Sequence, residues 1–275
     1  MSNRNDEIAD SILLINAIQA NNSELLTELL QESHTQGSLD AGLCWAARLG
    51  HVQMVASLVH AGASVHSEVW GGFTPILWAA IFSGSVNVIQ LLVSRGADIN
   101  HRSTQRKQTA LHAAVIKGDH ILAQFLIENG ANIDALDYLC KTPLLHAVQR
   151  NLHSCVRTLI LNNCNVNTPG FVNGATLSPL LVALMQNNAD ITKMLLLAGA
   201  RFEQTAIYQT FTLRQYYRTV EDDLQFVVRP VFLKQQCRVS IRELLKPHFL
   251  AKLRQMELPP ALRAFLGMDE LNNMF

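Results

Sequence analysis

The chain has 275 residues, 49% of them hydrophobic and 16% charged, and its 22 Lys and Arg balance 22 Asp and Glu. That composition excludes a disordered chain, and a net charge of zero gives no overall case for a nucleic-acid or membrane partner. The five cysteines, Cys44, Cys140, Cys155, Cys164 and Cys237, form no C-x-x-C pair. Neither a metal site nor a disulfide framework is therefore expected, and reduced thiols of an intracellular protein are the simpler reading.

The opening MSNRNDEIADS lacks the basic-then-apolar order of a signal peptide. No apolar run approaches the roughly 20 residues of a bilayer span. The expected location is the cytoplasm, with the nucleus as a second site. Residues 11–31 read as two short helices broken at Asn21-Asn22, with Ser23 as the N-cap of the second and Leu25, Leu26, Leu29 and Leu30 along it. We read 8–38 as a divergent unit that covers the open end of the array that follows.

From residue 39 the chain repeats itself. Residues 42–65 carry Ala46-Ala47, Gly50-His51 and Gly62-Ala63 in order, although Ala41-Gly42-Leu43 lacks the Thr-Pro start of later copies. Thr74-Pro75-Ile76-Leu77 opens the next copy, which passes Gly84 and closes at Gly96-Ala97-Asp98-Ile99-Asn100. Residues 108–134 form the most regular copy. Thr109 caps a short helix bearing Leu111, Ala113 and Ala114, and Gly118 stops it. Asp119 opens a second helix, on which Ile121, Leu122, Phe125 and Leu126 mark one buried face, and Gly130 ends it. Thr142-Pro143-Leu144-Leu145 starts a fourth copy, closed by Asn163 to Asn167. Ser178-Pro179-Leu180-Leu181 starts a fifth, closed by Gly199-Ala200 after a longer turn from Pro169 to Thr176. Gly62, Gly96 and Gly130 lie 34 residues apart, and a fixed period of this size outranks any local reading.

This pattern resembles the ankyrin repeat, a β-turn followed by two antiparallel helices, over residues 39–202. The resemblance implies an elongated right-handed stack of helix pairs from about residue 8 to residue 202. Asn163 replaces a closing glycine, and Asn151 and Asn188 take inter-helix glycine positions, since Asn is the next residue to tolerate left-handed backbone. His112 and His146 hold the first-helix position at which ankyrin histidines bond to the neighbouring backbone or Thr. His51 and His120, at second-helix starts, are likewise read as structural.

Residues 203–232 break the period and contain Tyr208, Phe211, Tyr216, Tyr217 and Phe226. We read 203–230 as a linker or C-terminal cap, with an aromatic partner-binding patch as the competing reading. Residues 231–275 form a second module. Leu233, Cys237, Ile241 and Leu244 make one stripe of a helix; Phe249, Leu250 and Leu253 mark a second helix; Leu258-Pro259-Pro260 is a break; and Leu262, Phe265 and Leu266 mark a third. So small a unit expects a partner.

This stretch resembles a SOCS box, and with the array it makes the chain similar to the ankyrin-repeat and SOCS-box family. The fold class implied is all-α: an ankyrin solenoid followed by a three-helix SOCS box. The resemblance implies that Leu233, Cys237, Ile241 and Leu244 bind elongin C, and that Leu258, Pro259, Pro260, Leu262, Phe265 and Leu266 bind a cullin, the fifth family member. Met256 and Glu257 stand where the family usually has Leu and Pro, and Phe232 stands where a capping residue usually starts the first helix. Members act as substrate receptors of elongin B/C–cullin–RING ubiquitin ligases, so no enzyme, cofactor or metal is implied. Turn residues that the repeat does not need, Trp70, Phe73, His101, Arg106, Tyr138 and Lys141, are the expected contacts to a target protein. For Trp70 and Phe73, packing between adjacent turns is an equal alternative. The competing function is a plain ankyrin scaffold or inhibitor whose C-terminal helices only cap the array.

Overall fold

The computed structural model describes residues 2–32, 34–69 and 71–201, which fall into two compact units dividing after Asn132. The expected linker at 203–230 and module at 231–275 lie outside the described residues.

In the first unit, helices α1 (Ser2–Gln19), α3 (Gln36–Leu49), α5 (Pro75–Trp78) and α7 (Ala110–Lys117) are the first helices of successive copies. The second helices are α2 (Ser23–Leu29), α4 (Val52–His60), α6 (Val86–Ser94) and α8 (His120–Glu128). First helices pack on first helices, α1 on α3 and α3 on α5, while α2 packs on α4 and α4 on α6. Residue size explains the two layers. Fully buried Ala46, Ala47, Ala79, Ala80 and Ala114 let the first helices approach closely, and Val55, Leu58, Val88, Ile89, Leu92, Leu122 and Leu126 fill the space behind them. Gly42 belongs to this packing: a Cβ there would meet Leu58 Cδ2 at 3.3 Å.

The second unit repeats the arrangement with α9 (Pro143–Gln149), α10 (His153–Leu161), α11 (Pro179–Met185) and α12 (Ala189–Leu197). Here α9 packs on α10 and α11, and α10 on α12. The long turn before α11 is an antiparallel hairpin, β1 (Gly170–Val172) with β2 (Ala175–Leu177). Its connection, Asn173-Gly174, has φ of 49° and 87°, the left-handed pair that matches strand twist. The fold is thus helical throughout its repeats, with this hairpin as the one two-stranded sheet among the described residues.

Side-chain caps start the helices largely where expected. Thr109 accepts from His112 N, Thr142 from Leu145 N and Ser178 from Leu181 N. Three starts differ. Asn22, not Ser23, caps α2, accepting from Leu25 N at 3.0 Å. The first full copy is not without a cap: Thr35 accepts from Ser38 N, and α3 begins at Gln36, ahead of the Ala41-Gly42-Leu43 stretch. In the fifth copy the left-handed residue is Asn187 (φ 55°), while Asn188 is the N-cap of α12, accepting from Ile191 N.

The second copy holds a feature that the period conceals. Ten residues separate Thr74 from Gly84, against nine between Thr109 and Gly118. The extra residue is absorbed by a π-helical segment, Ala79–Ser83, that continues α5. In an α-helix one inserted residue would rotate all later side chains by about 100°. The wider π turn confines that shift, so Gly84 still ends the helix in left-handed conformation and Ser85 still caps α6.

The closing turns are joined by side-chain amides and carboxylates. Asn132 N donates to Asn100 Oδ1, Asn165 N to Asp134 Oδ1 and Arg201 N to Asn167 Oδ1, each at 2.7 Å. The residue before each of these turns must be left-handed: Gly96, Gly130, Asn163 and Gly199 have φ of 89°, 91°, 64° and 94°. A Cβ at Gly130 would meet nothing within 4 Å, so replacing it tests backbone strain alone. Gly130→Val is expected to lower stability by about 1–3 kcal/mol, and Gly130→Asn by less, read from urea midpoints. An unchanged midpoint for the valine variant would remove this register.

Candidate target-binding surface

Of the six turn residues proposed from sequence, Trp70 lies outside the described residues. Phe73 and His101 are built into the turns. Phe73 and Val69 exchange backbone hydrogen bonds at 3.1 and 3.2 Å around Gly71-Gly72. The next turn grips that one: Thr104 Oγ1 donates to Gly71 O at 2.6 Å and His101 Nε2 lies 3.3 Å from Gly72 O. A Cβ at Gly72 would collide with the Thr104 side chain, which is why the sequence needs glycine there. Arg106 is exposed and makes no hydrogen bond or ion pair among the described residues. Tyr138 is 74% exposed.

Lys141 corrects the sequence reading. It is buried, and its Nζ donates to Gln149 Oε1 at 3.0 Å, so it does not offer its charge to a partner. The turn around it is organised by Asp137, whose Oδ1 accepts from Leu139 N at 2.8 Å and Lys141 N at 2.9 Å. His146 Nε2 donates to Asp137 Oδ2 at 2.8 Å. His112 instead pairs with Thr109 as foreseen, Oγ1 to Nδ1 at 3.0 Å. The two histidines differ because His112 follows its capping Thr by three residues and His146 by four, which places them on different sides of their helices.

Burial pushes the Asp137 carboxyl up, but the His146 hydrogen bond and charge and the two backbone N–H groups outweigh it and hold it below the usual carboxylate range. A depressed carboxyl stabilises the fold above its unfolded value and loses that contribution as pH falls through the folded one. The stability advantage of the wild type over Asp137→Asn is therefore expected in full at neutral pH and to shrink below about pH 4. Tm differences at pH 7 and pH 3 measure it. A constant difference would rule out the ionised carboxylate as its cause.

Beside Tyr138 the structure adds residues that sequence reasoning missed. Phe171 N on the hairpin donates to Leu139 O at 2.9 Å. Leu136 (39% exposed), Leu139 (39%) and Phe171 (46%) are, like Tyr138, large apolar side chains left exposed on this turn and the hairpin bonded to it. The hairpin sits this close because position 170 is glycine: a Cβ there would lie 2.9 Å from Cys140 O and 3.0 Å from Lys141 Cα.

A second group was also missed, on the first helices. The Arg48 guanidinium carbon lies 4.7 Å from the Trp45 ring centroid, 5.6 Å from Trp78 and 4.5 Å from Phe82. Trp78 and Phe82 stack at 5.0 Å, and Phe73 meets Trp78 edge-on at 5.9 Å. The signal was present in sequence: Trp45-Ala46-Ala47 and Trp78-Ala79-Ala80 place tryptophan at one position in consecutive copies.

The described cysteines are free thiols. Burial, with Asp40 nearby, pushes the Cys44 thiol far above its ordinary value, which disfavours the thiolate form. Among the described residues no cluster of His, Cys, Asp and Glu could hold a metal ion, and no helix is long and apolar enough to cross a membrane.

Paired helices closed by left-handed Gly or Asn and joined turn to turn define a helical-repeat protein of the ankyrin class. The family model described as ankyrin repeats (3 copies) matches residues 14–103 and 101–170, and that of the SOCS box matches residues 229–266. The chain belongs to the ankyrin-repeat and SOCS-box family, whose modules typically serve as non-catalytic adaptors, at family level in cullin–RING ubiquitin ligases. Pair α11–α12 lies beyond the matched ankyrin residues and repeats their geometry. No curated protein matches the chain. The residues assigned to elongin C and cullin, Leu233 to Leu266, lie outside the described residues.

Proposed function

We propose that this chain is the substrate-recognition subunit of an elongin B/C–cullin–RING E3 ubiquitin ligase, acting in the cytoplasm. The observation that supports it is the order of modules: a SOCS box at 229–266 follows an ankyrin array in one chain. In this reading elongin C covers the stripe of Leu233, Cys237, Ile241 and Leu244. The fifth cullin takes Leu258, Pro259, Pro260, Leu262, Phe265 and Leu266. The target is held by side chains that each unit leaves exposed: Arg106 in the first, and, separately, Tyr138, Leu139 and Phe171 in the second. Ubiquitin transfer is done by other subunits. The receptor contributes proximity, raising the effective concentration of target lysines at the charged enzyme.

Affinity purification of the full chain with mass spectrometry tests this reading. Elongin B, elongin C and a cullin are expected together; their absence would leave a plain ankyrin scaffold. Leu258→Ala combined with Pro259→Ala is expected to reduce cullin recovery while elongin B/C stays bound, because the sequence pattern puts these residues just before the stretch Leu262, Phe265 and Leu266 assigned to the cullin. Loss of both partners together would make that segment structural for the whole module.

A further inference from the structure

We infer that the cluster of Trp45, Arg48, Trp78 and Phe82 is a docking site for an acidic protein segment, one carrying a carboxylate beside a large apolar side chain. The inference rests on the receptor reading and supplies the chemistry of the target. Three rings converge on the one guanidinium, at 4.5–5.6 Å. Yet Arg48 makes no hydrogen bond or ion pair among the described residues. The rings hold the side chain in place at little further entropic cost on binding, while its N–H donors remain for a ligand. Nearby, Lys117 Nζ donates to Phe82 O at 3.0 Å. Among the described residues no carboxylate lies within ion-pair distance of either cation. The site therefore combines apolar walls with the unpaired charge of Arg48; Lys117 has a carboxylate nearer to it, since Asp119 Oδ2 and Lys117 Nζ each lie 3.3 Å from where a Cβ of Gly84 would be. Two cations are too few for the multiple phosphate contacts of nucleic acid, but they suit a carboxylate.

The π turn argues the same way. It carries Phe82, which is 46% exposed and so gains little from burial in the core. The same copy starts poorly: Thr74 has no side-chain cap bond, and its buried hydroxyl has no partner among the described residues. Local irregularity that the core does not repay is characteristic of binding surfaces, and Trp and Arg are the residues that dominate interface energetics.

The test is an immobilised peptide array in which a central Phe or Leu is flanked by Asp and Glu, by Asn and Gln, or by Lys, probed with the full chain co-purified with whatever elongin B/C it recovers. The acidic arm is expected to bind best, about tenfold over the amide arm, the effect of one charge-assisted hydrogen bond. Arg48→Gln should erase that preference, Arg48→Lys should keep part of it, and Phe82→Ala should weaken all arms alike. Circular dichroism and elongin B/C recovery should be unchanged in all three variants. Equal binding of acidic and amide arms, no binding at all, or an acidic preference that survives in folded Arg48→Gln overturns the inference. Failure of the wild type to recover elongin B/C counts instead against the receptor reading, so the two are separately decided.

Discussion

Leu233→Pro combined with Cys237→Phe is expected to abolish elongin B/C co-purification while leaving the ankyrin array folded. Both residues lie on the stripe Leu233, Cys237, Ile241 and Leu244 that the sequence pattern marks at the start of the SOCS box. Apolar surface left in water is unfavourable by about 25 cal/mol per Å², so the stripe calls for a partner, which the family resemblance gives as elongin C. Truncating one large apolar anchor in a packed interface often costs about 2 kcal/mol or more. Loss of two should reduce binding by at least a few hundredfold, at about tenfold per 1.4 kcal/mol. Proline removes the helix geometry, and phenylalanine overfills the space of a small thiol. Repeats contact only their neighbours, so circular dichroism of the array should be preserved. A folded double variant that recovers elongin B/C undiminished would sink the ligase-receptor reading.

The second large effect separates two adjacent residues. Leu122 is fully buried on α8, and Ile121 is 66% exposed. Leu122→Ala should cost about 2–5 kcal/mol, the sum of lost transfer energy and the cavity left behind, whereas Ile121→Ala should stay within about 0.5 kcal/mol. Urea unfolding of the two variants measures the contrast. Equal losses would mean that α8 is rotated from the orientation described.

Ile121 also shows where sequence reading stops. Three- and four-residue spacing marks a stripe wide enough to include Ile121, Leu122, Phe125 and Leu126, but only contact with neighbouring helices decides its edge. The backbone punctuation was more legible, because left-handed residues are restricted to few types. Gly62, Gly96, Gly130 and Gly199, and Asn163 in place of glycine, were all readable. Where two candidates stand side by side, that restriction loses its power. Asn21-Asn22-Ser23 and Asn187-Asn188 each contain a left-handed residue followed by a cap, and residue type alone cannot order them. Lys141 was misjudged because a lysine in a turn is usually solvated, and only the fold shows Gln149 within reach. The aromatic–guanidinium group needed the copies to be aligned residue by residue. Aligning Trp45-Ala46-Ala47 with Trp78-Ala79-Ala80 would have exposed it, and counting ten residues rather than nine from Thr74 to Gly84 would have exposed the π segment beside it.

The bonds that join closing turns bear on how the array comes apart. The amides of Asn132, Asn165 and Arg201 are each held by a side chain of the preceding copy. Opening one copy therefore unprotects an amide in the next, and hydrogen exchange at these sites reports pairs of copies rather than single ones. His66 occupies the position equivalent to Asn100, and among the described residues its side chain makes no hydrogen bond. The junction after the first full copy lacks this clasp, although Ser83 Oγ donates to Ala47 O across it, so within the first unit it is the expected seam along which the N-terminal helices would exchange as a block of their own.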